Sequence, residues 1–221
     1  RLYEVLIAPV SRAIEGRRLI IVPFEALHSV PFHALFDGER YVMDDYEVSY
    51  APSSRMHLLC CRKQALAGSR MTLVGVPDEL APHIDEEIEA IRKLFPEARC
   101  LVGELATMAA IREHAPLSDL IHIASHGVFR QDNPMFSAIK LSDCWLTAFD
   151  VCSLKLSSAL VTLSGCSTGV GRLYTGDEMQ GLVRGFMRAG AASLLVSLWP
   201  VDDPATAKLM ADFYGSLRAG A

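Results

Sequence analysis

Two short stretches, Leu120-Ile-His-Ile-Ala-Ser125 and Ala159-Leu-Val-Thr-Leu-Ser164, decide the reading of the fold. Both are almost wholly apolar, the pattern of central strands covered on both faces. Each ends in a small polar residue and runs into a glycine, giving Ser125-His126-Gly127 and Ser164-Gly165-Cys166. Outward from them, strand and helix signals alternate. Strands are expected over Met71 to Val76, Arg99 to Val102 and Ser193 to Trp199, with helices over Ile84 to Leu94, from a Thr107 cap, over Glu178 to Arg188 and over Pro204 to Leu217. Parallel neighbours need long returns, so this alternation implies crossover helices and a doubly wound, mostly parallel α/β sheet with helices on both faces. Nearer the start, Leu2, Leu6, Ile7, Val10 and Ile14 recur at helical spacing up to Gly16. A short strand Leu19 to Val22 follows, then an alternating strand over Tyr41 to Tyr50 and a helix capped by Ser53 or Ser54 that runs through Ala65.

The 221 residues fit one domain, and 51% apolar with 21% charged residues is a composition that folds around a core. A net charge of -5 supplies no overall basic field, so nucleic acid is not an expected partner. The apolar run Ala191 to Trp199 is too short to span a bilayer, and no membrane partner is expected. The six cysteines include no C-x-x-C pair, which argues against a zinc site, and a chain of this size needs no disulfide staples. Reduced thiols in a cytoplasmic setting are the expectation. The chain opens on Arg1 with an apolar period already under way, so we expect it to be the C-terminal part of something longer.

In open α/β sheets the chemistry gathers beyond the carboxyl ends of the strands. His126 and Cys166 occupy that place after the two central strands, and strands ending side by side would bring imidazole and thiol together. A nucleophilic thiol needs a base beside it, access, and backbone N–H groups for a developing oxyanion, all of which the small residues Ser164 to Gly169 permit. Taken alone, a free cysteine is more often a small buried hydrophobe. His122 reads as a core histidine, and His28, His33, His57, His83 and His114 as surface or structural ones. The two strand-end residues by themselves also allow a Cys-His amidase acting on small molecules.

Taken together, the C-terminal half resembles the CHAT family of cysteine peptidases, in a bacterial-type form related to caspases and separase. The resemblance rests on Ser125-His126-Gly127, Gly165-Cys166-Ser167-Thr168-Gly169, Gly176-Asp177-Glu178, Gly190-Ala191 and Leu198-Trp199-Pro200-Val201-Asp202-Asp203. Asn133-Pro134, Leu146-Thr147-Ala148, Val22-Pro23 and Val30-Pro31-Phe32 extend it over nearly the whole chain. It departs from the family's habit at Ser125 and Gly165, where Ala or Thr and Ala are frequent, and neither change removes a catalytic group.

The resemblance implies a caspase-like fold in a single domain over residues 1–221. It implies an endopeptidase in which Cys166 forms a thioacyl enzyme, His126 is acid and base, and the backbone N–H groups of Gly127 and Cys166 form the oxyanion hole. No metal or organic cofactor is called for. By likeness to separase, Asp203 lines a pocket for a basic P1 side chain, whereas its local reading is a helix-start carboxylate before Pro204. The implied partners are a protein or peptide substrate, an N-terminal helical-repeat region and an activating partner. A silent signalling module of the same fold is the rival reading.

Overall fold

A computed structural model of the chain describes residues 1–62, 70–79, 81–128, 130, 132–165, 177–197, 201 and 203–220, without the side chains of 177–180 and 203. The chain divides into two compact units, Arg1–Arg62 and Lys63–Ala221.

The first unit contains helix α1 (Leu2–Leu6), strand β1 (Arg18–Ile21), helix α2 (Val42–Asp45), strand β2 (Glu47–Tyr50) and helix α3 (Ser54–Cys61). β1 and β2 pair in parallel, Arg18 opposite Glu47, over a small core of Ile7, Phe32, Leu35 and Val42. Three sequence expectations change here. The first helix stops at Leu6 rather than near Gly16, because Pro9 has no N–H to carry the ladder onward. The alternating segment before Tyr50 begins as a helical turn, since the Asp44 carboxylate accepts the Tyr41 N–H at 2.8 Å and closes α2. Ser53 does cap α3, accepting the Met56 N–H at 3.1 Å, but the helix ends at Cys61.

The second unit is built on β3 (Met71–Gly75), α4 (Ile84–Leu94), β4 (Arg99–Val102), α5 (Met108–His114), β5 (Leu120–Ala124), β6 (Gly127–Val128), β7 (Ala138–Lys140), β8 (Trp145–Thr147), α6 (Ala148–Val151), β9 (Leu160–Ser164), α7 (Asp177–Ala189), β10 (Ser193–Val196) and α8 (Asp203–Ala219). Five of the strands form a parallel sheet in the order β10-β9-β5-β3-β4. The chain starts at β3, steps outward to β4, then returns past β3 and runs the other way through β5, β9 and β10. That reversal places a topological switch point between β3 and β5.

The same reversal distributes the helices. A right-handed crossover puts its helix on one face when the chain steps one way and on the opposite face when it steps back. Accordingly α4 packs with α8 against Met71, Leu73, Leu120 and Ala124, whereas α5, α6 and α7 pack against Val74, Ile121, Ile123, Val161 and Leu163. Residue pairs such as Leu120 with Ile121 thus divide between two cores, which explains why β5 reads as an apolar run interrupted only by His122. The sheet is doubly wound with helices on both faces, as the alternation of elements predicts.

The segment between β5 and β9 adds a feature that the alternation does not announce. β6, β7 and β8 form an antiparallel sheet, with Gly127 opposite Ile139 and Ile139 opposite Leu146. These strands are two or three residues long, too short for a period to register in the sequence.

A polar cluster lies within the core. His122 of β5 is fully buried, with its Nε2 3.0 Å from Oε1 of buried Glu87 on α4. The pair is out of hydrogen-bond alignment, and neither atom has another such partner among the described residues. Tyr214 of α8 donates to Thr162 Oγ1 on β9 at 2.7 Å and approaches His122 Nδ1 at 3.4 Å. Burial pushes the pKa of the Tyr214 hydroxyl upward and keeps it protonated. The cluster joins two strands to both helices of one face. Glu87→Ala removes the carboxylate that stands beside a buried imidazole, and we expect it to cost about 3 kcal/mol in urea unfolding. A loss below about 1 kcal/mol would show that the pair contributes little.

Candidate active site

The site begins with the register of β5 and β9. Ala124 pairs with Ser164, and the Ser125 N–H continues the ladder by donating to the Ser164 carbonyl at 3.0 Å. His126 is the second residue beyond Ala124, and Cys166 is the second beyond Ser164. Gly165, between strand and cysteine, runs so close to the neighbouring chain that a Cβ there would collide with the Ser125 carbonyl oxygen. The departure from the alanine common in the family is therefore matched to this backbone approach. Cys166 lies outside the described residues.

His126 is nearly buried, with its side chain 11% exposed. Its Nε2 lies 2.6 Å from Oδ1 of Asp78, a residue that the sequence reading does not single out. Asp78 follows β3, the other neighbour of β5, and its turn is closed by the Ala81 N–H, 3.2 Å from the same carboxylate oxygen. Lys140, at the end of β7, donates its Nζ to Asp78 Oδ2 at 3.1 Å. The switch point between β3 and β5 thus carries a carboxylate, an imidazole and an ammonium. A usable signal for Asp78 does exist: Val76-Pro77-Asp78 stands just past a buried strand, as His126 and Cys166 do.

The β6–β7 ladder sets the backbone of Gly127. The Lys140 N–H donates to the His126 carbonyl at 2.8 Å, which makes Gly127 and Ile139 a pair without mutual hydrogen bonds. In such a pair the N–H turns away from the partner strand, so the Gly127 N–H faces away from β7. Ser125 secures the same corner by donating its hydroxyl to the Lys140 carbonyl at 2.7 Å.

Asp203 is the first residue of α8, one position further into the helix than the expectation of a cap before Pro204, and its side chain lies outside the described atoms. Leu198 to Pro200 and Asp202, which carry part of the resemblance, also lie outside the described residues. The remaining histidines divide as expected where they can be followed: His122 is in the core, and His33 bonds Tyr50 through Nδ1 at 3.0 Å. Among the described residues no helix is long and apolar enough to cross a membrane.

The CHAT domain family profile matches residues 1–221. Tetratricopeptide repeat protein 28 of Homo sapiens is 42% identical over 96% of this chain, and its Mus musculus counterpart is 27% identical over the same share. The chain spans 11% of the length of each of these relatives. Both are mammalian, so they lend no support to the bacterial form expected from the sequence. Among solved structures, a flavodoxin of Streptococcus pneumonia TIGR4 aligns with a TM-score of 0.41 at 14% identity, covering 68% of this chain and 99% of the flavodoxin. A short-chain flavodoxin associated with a non-canonical PDU bacterial microcompartment aligns at 0.37 and 13%, covering 67% and 97%. Matched from end to end by the family profile and 42% identical to a relative over 96% of its own residues, this chain belongs to the CHAT domain family, a relative of the caspase-like peptidases.

Proposed function

We propose that this domain is a cysteine endopeptidase in which Cys166 attacks a peptide carbonyl and His126 first takes the thiol proton and then gives it to the leaving amine. The Gly127 and Cys166 N–H groups hold the oxyanion, and Asp203 receives a P1 Arg or Lys. A helical-repeat region upstream receives a partner and controls the peptidase in the cytoplasm. The name of the relatives, tetratricopeptide repeat protein 28, supports that arrangement.

The observation that carries the reading is the β5–β9 register. Strands paired from Leu120 and Leu160 to Ala124 and Ser164 run out together, with a histidine and a cysteine each two residues further on. The near burial of His126 supports a proton-transfer role, because a shielded imidazole exchanges its proton with the group beside it rather than with bulk water.

The test is incubation of the chain with an irreversible, thiol-directed peptide ending in P1 Arg, followed by mass measurement. We expect one equivalent of inhibitor on Cys166, absent from His126→Ala and absent with a P1 Asp peptide. Labelling of Cys166 by iodoacetamide but by no peptide would favour a silent signalling module. Equal labelling by a small amide-like electrophile without a peptide portion would favour a small-molecule amidase.

A further inference from the structure

We propose that Asp78 is a positioning residue for His126, holding its neutral imidazole as the Nε2–H tautomer so that Nδ1 carries the lone pair that accepts the thiol proton. This rests on the reading of His126 as the acid and base of a cysteine peptidase, and it adds a third member to what the sequence presents as a dyad.

Among the described residues, three donors converge on one carboxylate. Asp78 Oδ1 receives His126 Nε2 at 2.6 Å and the Ala81 N–H at 3.2 Å, and Oδ2 receives the Lys140 ammonium at 3.1 Å. An ionised carboxylate only accepts hydrogen bonds, and a neighbouring ammonium favours the ionised form. The proton of the short contact therefore sits on Nε2. The other nitrogen of a neutral imidazole must then be the acceptor. When the thiol S–H bond breaks, its proton forms a bond to Nδ1 and leaves the electron pair on sulfur. Nε2 keeps its own proton, and the imidazolium charge faces the Asp78 carboxylate, which is not itself protonated.

Topology places the three groups in the order such a relay needs. Asp78, His126 and Cys166 follow β3, β5 and β9, which are consecutive neighbours in the sheet. Gly75 pairs with Ala124 and Ala124 with Ser164, so the carboxylate approaches His126 from the side of its strand opposite the strand that leads to Cys166. The competing role for Asp78 is structural, as an acceptor for the Ala81 turn and a partner for Lys140. That role has no consequence for the imidazole tautomer or for thiol reactivity.

Two readouts separate the roles. The ¹⁵N shifts of the His126 ring report the tautomer directly, and the rate of Cys166 alkylation by iodoacetamide at pH 6 reports how far the imidazolium–thiolate pair is populated. In the unsubstituted chain we expect a single Nε2–H tautomer and alkylation of Cys166 faster than that of partly exposed Cys152, since exposed Cys61 itself lies 3.4 Å from His57 Nε2. Asp78→Ala is expected to give a mixture of tautomers, and Asp78→Asn, which keeps the shape and removes the charge, to slow alkylation about tenfold or more. Should Asp78→Ala fail to fold, the isosteric Asp78→Asn still decides through the alkylation rate. An unchanged tautomer in Asp78→Ala, or unchanged alkylation in Asp78→Asn, overturns the assignment. If Cys166 of the unsubstituted chain reacts no faster than Cys152 while Asp78→Ala still mixes the tautomers, the peptidase reading fails and the Asp78–His126 assignment stands.

Discussion

Cys166→Ala and His126→Ala are each expected to lower peptide turnover by about a thousandfold or more while leaving the domain folded, because nucleophile and base act as one unit. Combining them should cost little beyond either alone. Folding survives the loss of His126 because Asp78 keeps the Lys140 ammonium and the Ala81 N–H as donors, so no carboxylate is left bare. The other five cysteines serve as controls. Burial pushes the pKa of the Cys100 and Cys144 thiols upward, which disfavours their thiolate forms. Replacing either of these, or Cys60, Cys61 or Cys152, by Ser is expected to leave turnover within about twofold, since none stands just past the carboxyl end of a strand of the parallel sheet. Steady-state cleavage of a P1 Arg peptide, with circular dichroism as the check on folding, decides the matter. Turnover retained by Cys166→Ala would require another nucleophile.

The second large effect concerns specificity. A carboxylate that pairs with a cationic P1 side chain contributes through charge-assisted hydrogen bonds, and it is left unpartnered when an apolar or acidic side chain enters. We expect P1 Arg and Lys peptides to be cleaved well and P1 Asp hardly at all, opposite to the preference of caspases. Asp203→Ala should then lower kcat/KM for P1 Arg about a hundredfold and leave P1 Leu almost untouched. The competing role follows from the position of Asp203 in the first turn of α8, where a carboxylate meets the positive end of the helix dipole. That role predicts a stability loss of about 1 kcal/mol or less and an unaltered ranking of substrates. Matched P1 Arg, Lys, Asp and Leu peptides, measured on both forms of the chain, separate the two.

The first prediction concerns residues that are legible as candidates in the amino-acid sequence, and the reason is local, whereas the pocket role of Asp203 rests on likeness to separase. His126 and Cys166 each follow a run such as Leu120 to Ser125 whose largely apolar character marks a central strand. Such a strand carries its functional group at its carboxyl end. Helix boundaries are legible on the same terms: Thr107 caps α5 by accepting the Ala110 N–H at 3.2 Å, and α4 spans Ile84–Leu94 as its period indicates. Where a second local signal competes with the period, the expectation fails locally, as at Pro9 in the expected first helix and at the Asp44 carboxylate that turns the chain before β2.

The amino-acid sequence by itself therefore determined the succession of strands and helices, the two-faced burial of β5 and β9, and the candidate pair at their ends. All of these are written in the spacing of neighbouring residues. Tertiary structure alone decided which strands became neighbours. The order β10-β9-β5-β3-β4 brings Asp78 to His126 across 48 residues of chain and Lys140 to Asp78 across 62. It also places buried Glu87 of α4 against His122 and Tyr214 of α8 against Thr162. No periodicity encodes such meetings, because a carboxylate on a loop or a helix face looks the same in sequence whether it meets water or an imidazole. The difference arises only when the chain turns back after β4, opens the switch point between β3 and β5, and brings those groups together.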